Sequence, residues 1–239
     1  MITTATVLQQ DNAPRSAASL SRAELLARYR RYREIGRRHH SALLKFLSKD
    51  AIISQARRLG LARGRTLILD NLDDLNLVFD LLIYTAPKDR SRAIDRYARS
   101  APPPPGTDEG LVIRAMQHAR FAIISRTGRH SVVGLLARDL FRGTDCWLVD
   151  EGLESSMHDG AMLATRLYTL DDFTVTAGVI VPLDMQLIED AMLETPQLFG
   201  KVPKDAIEER RFAEAIYRSA IASGVMEQVG YLDTRANAS

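Results

Sequence analysis

Three groups of residues have the types and spacing that chemistry needs. Ser155 and Ser156 precede His158, with Asp150 and Asp159 on either side, so the nucleophile, base and orienting carboxylate of a hydrolase triad can be drawn from one short stretch. Asp70, Asp73 and Asp74 bring three carboxylates together, the ligand type that hard cations prefer. Between Arg22 and Lys45 stand eight basic residues against two acidic ones, a local balance of +6. On a helix, Arg31, Arg38 and Lys45 fall seven apart on one stripe with Arg30 and Arg37 beside it. Such a face suits phosphates, and Tyr29 and Tyr32 could stack on bases.

Each group also has a plainer account. A segment rich in Ser, His, Asp and Gly is ordinary turn material. The aspartates lack the spacing and the glycine of a calcium loop, and they sit where a helix would begin, where acidic side chains complement the dipole. Arginines on a helix are usually solvated or paired with acidic neighbours. We prefer these plainer accounts, so no catalytic residue and no metal ligand is assigned. The Arg stripe is kept as the candidate nucleic-acid site, and a hydrolase or metal-dependent enzyme centred near His158 or Asp70 as an alternative.

Composition narrows the classes further. The 239 residues carry a net charge of +2, too little to argue for nucleic acid from the total. The phosphate-cradling P-loop, the dinucleotide Gly-x-Gly-x-x-Gly and the Gly-x-Ser-x-Gly elbow are all missing, and no cofactor is expected. Neighbouring His39 and His40 point about 100° apart on a helix and cannot easily share a metal. Cys146 is the only cysteine, which rules out an intrachain disulfide and a Cys-based zinc cluster and fits a reducing cytoplasm. Its place in a strand beside Trp147 suits a small buried hydrophobe. The first nineteen residues do not read as a secretory signal, and no apolar run approaches the roughly 20 residues of a membrane span.

The elements that must position these groups change character along the chain. Ser21-Arg22-Ala23-Glu24 is a capping box, after which Leu25, Tyr29, Tyr32, Gly36, His39, Leu43 and Phe46 recur at steps of four and three along one side of a helix. Ser48 caps a second helix that Gly60 stops, and a third, apolar helix follows Asp70. Lys88–Ser100 gives a fourth. Pro102–Pro105 with Gly106 is a joint, and Thr107 caps a helix running to Arg120. The period then becomes alternating. Runs at 121–125, 132–136, 146–149, 161–168 and 173–181, with turns at Thr127–His130 and His158–Gly160, read as five antiparallel strands. After Pro182 helices return, the last starting near Pro203 and stopped by Gly224.

The tetraproline segment through Glu109, the Ala119-Arg120-Phe121 entry to the β unit and the run Gly160–Leu167 resemble an uncharacterised family of bacterial hypothetical proteins, over about residues 48–183. The resemblance implies a recurring module and carries over no activity and no site. The fold expected is α+β. A tail at 1–19 leads into a helical part at 20–101 and a proline linker at 102–106. A helix with a five-stranded barrel-like β unit then spans 107–183, followed by C-terminal helices at 184–224 and a flexible tail at 225–239. The function expected is non-catalytic binding or regulation, with nucleic acid or another protein as partner and no membrane. The apolar stripe of the first helix would serve a homo-oligomer if it stayed uncovered.

Overall fold

Ser21 opens the first helix as its spacing requires: its side chain accepts the Glu24 amide, and the Glu24 carboxylate accepts the Ser21 amide at 2.9 Å. The computed structural model describes residues 17–228 apart from Asp70, Leu72 and Phe199. In it α1 spans Arg22–Leu44, α2 Lys49–Arg58, α3 Asp74–Tyr84, α4 Ala93–Ser100 and α5 Asp108–Gln117, with a two-residue hairpin pair, β1 (Ala62–Arg63) and β2 (Thr66–Leu67), between α2 and α3. Ser48 and Thr107 cap α2 and α5 through their hydroxyls. Asp73 makes no such cap at α3; Asn71 Oδ1 accepts its amide instead. The fourth helix begins at Ala93, later than expected, with Arg92 bridging Asp95 and the Gln117 carbonyl across the proline joint.

The alternating region closes into a five-stranded barrel: β3 (Arg120–Arg129), β4 (Leu135–Asp139), β5 (Thr144–Leu148), β6 (Met162–Leu170) and β7 (Phe173–Leu183), in the order β3-β4-β5-β7-β6. It is mixed rather than antiparallel, because β5 meets β7 in parallel at Leu148 and Thr174. The cause is α6 (Glu151–Ser156), a short helix where a hairpin turn was expected, which carries the chain across from β5 to β6. Asp150 drives it by accepting the amides of Gly152 and Leu153. Thr127–Arg129 are not the turn; they extend β3 past a bulge between Arg126 and Gly128. The turn falls later, at Gly134 (φ +78), where a Cβ would meet the Leu148 carbonyl at 2.2 Å.

Inside the barrel lie Ile124, Leu135, Leu148, Leu163 and Leu167. Its outer surface is covered on two sides. The α1, α4 and α5 side packs on Tyr168, Phe173 and Val175, and α2 and α3 pack on Phe121, Ile123 and Val181 together with α7 (Met185–Leu193) and α9 (Arg210–Ser223). The stripe on α1 is thus largely spent within its own chain: Leu25, Tyr29, Tyr32 and Leu43 are core, while Phe46 at its end stays exposed. The last helix is split, with α8 (Pro203–Ala206) ending before α9 begins, and Gly224 closes α9 in the left-handed conformation. Both expected tails reach the core: Ala17 and Met226 are buried. Residues 1–16 and 229–239 of those tails lie outside the described residues.

One buried ion pair ties α3 and α9 to the barrel. Arg166 of β6 grips Asp80 of α3 through Nε and Nη2, both at 2.8 Å, and the Tyr217 hydroxyl of α9 donates to Asp80 Oδ2 at 2.9 Å. The side chains are 4% and 3% exposed. The guanidinium also lies 5.0 Å from the Tyr84 ring centroid and 5.8 Å from that of Phe121. Removing one member strands the other charge in a dry site, so Arg166→Met should lower the free energy of unfolding by about 3–5 kcal/mol, read from urea melts. A loss below about 1 kcal/mol would show that the pair is solvated.

Candidate ligand cleft

The Arg-rich face is largely engaged by acids from other elements. Arg30 holds Glu151 of α6 through two bonds at 2.6 and 3.1 Å, Arg31 meets Asp108 at 2.6 Å and Arg38 meets Glu109 at 3.2 Å. Arg37 pairs with Glu34 on its own helix. Arg22 and Arg28 reach Glu154 and Asp171. Lys45, the C-cap residue of α1, carries no ion pair among the described residues. A hollow of about 580 Å³ lies between α1, the start of α5 and the β6–β7 turn, but Arg28 and Arg31 within it are matched by Asp171 and Asp108.

The hydrolase group is not assembled. Both serine hydroxyls donate to carbonyls of their own helix, Ser155 and Ser156 each to Gly152 at 2.8 Å. Asp150 is used by the α6 cap and by the Thr176 hydroxyl, and His158 is exposed. Of the aspartate group, Asp70 lies outside the described residues, and no cluster able to hold a metal occurs among those described. Burial pushes the Cys146 thiol up to about 11, as a packed rather than reactive cysteine requires.

What the fold does bring together is a cleft of about 380 Å³ between α1, α3 and β7. Its floor is a defect in the barrel. Between the pairs Thr165–Ile180 and Leu167–Thr176, the single residue Arg166 of β6 faces three residues of β7, Ala177–Gly178–Val179. Gly178 takes φ +115, and a Cβ there would meet nothing within 4 Å. The β5–β7 ladder has already ended at Thr174, so the next backbone positions of β7 are open on the side away from β6. Arg33 of α1 takes up the first of them, donating from Nη1 to the Thr176 carbonyl at 2.8 Å.

Polar groups converge on the same space. His40 Nε2 and the Tyr84 hydroxyl share a hydrogen bond of 2.7 Å, and the Tyr168 hydroxyl comes against Gly36, whose Cβ would lie 3.1 Å from it. Burial, reinforced by the charge of Arg33, pushes the His40 imidazole down to about 4. Burial likewise raises the Tyr84 and Tyr168 phenols. At neutral pH all three are therefore uncharged. Arg33 is the cation in their midst, half-buried and in no ion pair among the described residues, with the Asp150 carboxylate acting on it without a direct pair.

The model of a family of unknown function, DUF7986, matches residues 23–225. The chain belongs to that family. The matched span runs from the first turn of α1 to the end of α9 and includes every residue of the cleft. No curated protein and no solved structure matches the chain. Among the described residues no helix is long and apolar enough to cross a membrane.

The depressed His40 pKa has a consequence for stability. An unfolded chain protonates His40 near its ordinary 6.5, whereas the folded ring resists until about 4. Arg33 and His39 on its own helix oppose its charge and Asp80 of α3 favours it. Stability from this group is complete above pH 6.5 and is lost as the pH falls from there toward 4. Going from pH 7 to pH 5 should cost about 2 kcal/mol, and His40→Gln should flatten that slope in urea melts at each pH.

Proposed function

We propose that the protein is a non-catalytic, cytoplasmic binding protein whose cleft between α1, α3 and β7 takes a small anionic ligand. The observation that carries this reading is Arg33, a half-buried guanidinium that lines the cleft beside the Thr176 carbonyl with no carboxylate in ion-pair contact among the described residues. Charges in such a setting are ordinarily paired. The groups around it are tuned away from neutral pH, His40 downward and the tyrosines upward, which suits hydrogen bonding to a ligand better than proton transfer. Titrating the isotopically labelled protein with acetate and with inorganic phosphate should move the amide signals of Ala177, Gly178 and Tyr168, and Arg33→Gln should abolish the movement. Amide signals that stay still with both anions would refute the cleft as a site.

A second reading is nucleic-acid contact through Arg30, Arg31, Arg37, Arg38 and Lys45. It is supported by the exposure of the arginines, whose side chains remain 61–69% accessible. Pairs that open are worth only about 0–1 kcal/mol each, so a polyanion could displace the acids. Five phosphate contacts would weaken duplex binding roughly 500-fold between 50 and 200 mM salt. Absence of binding at 50 mM salt would remove this reading.

A further inference from the structure

We propose that the ligand of the cleft is a monocarboxylate with an apolar body, an aryl or short alkyl acid; this rests on the cleft being a binding site. The first argument is charge. Of the charged groups lining the cleft, Asp80 is matched by Arg166 and Arg37 by Glu34; Arg33 is the lining cation with no carboxylate in ion-pair contact among the described residues, the buried Asp150 outside the lining acting on it without a direct pair. One charge fits a carboxylate, whereas a phosphate dianion would ask for more.

The second argument is the geometry of the guanidinium. Arg33 donates from Nη1 to Thr176, and its Nε and Nη2 make no bond to the described residues, yet neither is among the buried polar atoms left without a partner. They are therefore not sealed in the interior, on a residue that lines the cleft. Whereas Arg22 holds Glu154 by Nη1 and Nη2, Nε with Nη2 is an edge by which this protein grips three of its own carboxylates, Arg166 on Asp80, Arg30 on Glu151 and Arg92 on Asp95. That side-on fork matches the two oxygens of a carboxylate. The Tyr168 hydroxyl, which also makes no bond to the described residues and feels the charge of Arg33, supplies a further donor.

The third argument is the rest of the wall. Phe79 and Ile83 of α3, Leu44 of α1 and Val179 of β7 line the cleft; Phe79 is half-buried, and Leu44 is 39% exposed at the rim. The volume of about 380 Å³ is at the small end for ligand sites, room for one ring or a chain of several carbons beyond the acid group. Gly178 keeps this wall flat, because any side chain there would project into open space.

The test is calorimetric titration of the full chain with benzoate and hexanoate, using the neutral isostere benzamide and inorganic phosphate as comparators. At least one of the two acids should bind one to one, benzamide at least tenfold more weakly, and Arg33→Gln should lose roughly tenfold or more, as expected for a charge-assisted pair. Tyr168→Phe removes only a hydroxyl and should weaken binding several-fold, which gives a readout if Arg33→Gln fails to fold; thermal melts of both variants distinguish the cases. Benzamide binding as well as benzoate, unchanged binding by either variant, or failure of both acids to bind overturns the proposal. Phosphate binding alone, lost in Arg33→Gln, would overturn the carboxylate assignment and leave the anion cleft standing. Failure of all four probes would overturn both.

Discussion

The Asp80–Arg166 pair is the contact on which the arrangement of the helices depends. Removing two charges from water is costly, and their attraction offsets that cost only when geometry and further hydrogen bonds are good. Here the fork is two-pronged, Tyr217 satisfies the carboxylate from α9, and Tyr84 and Phe121 lie against the guanidinium. Three elements distant in sequence are held to one point of the barrel wall. Arg166 is also the residue opposite the excess of β7 residues, so the anchor of the helices and the defect that floors the cleft share one position.

Helix α1 is attached by a different principle. Its apolar stripe gives the burial, while five arginines reach acids on α6, the β6–β7 turn and the start of α5. Such exposed pairs add little stability individually. Distributed over three elements, they fix the rotation and height of the helix, and so the place of Arg33 and His40 one face away. The charge that makes α1 conspicuous is mostly matched, and the residue that stands out chemically is Arg33, the arginine of that helix in no ion pair among the described residues.

Local rules made much of the fold legible. Ser21, Ser48 and Thr107 cap helices because their hydroxyls meet orphan amides within three residues, and Gly224 ends α9 because only a residue tolerant of positive φ fits there. Alternation revealed all five strands. Their closure was not legible, since the parallel β5–β7 contact depends on α6, and a Ser- and Asp-rich segment reads equally as turn or cap. Nor was the cleft. Asp80 reads as one acid on an apolar helix until Arg166, 86 residues away, is brought to it. Arg33 is one of eight basic residues until the carboxylates have been distributed among the others. A bulge leaves no periodic trace when it adds an even number of residues, because inward and outward positions stay in phase on both sides of Ala177–Val179.

The open side of β7 has a further consequence. Unpaired strand backbone is a template for pairing with other chains, and natural sheets shield it. Here Arg33 of α1 occupies the first open carbonyl. The side chain thus blunts that edge at Thr176, where an incoming strand would otherwise find a free acceptor.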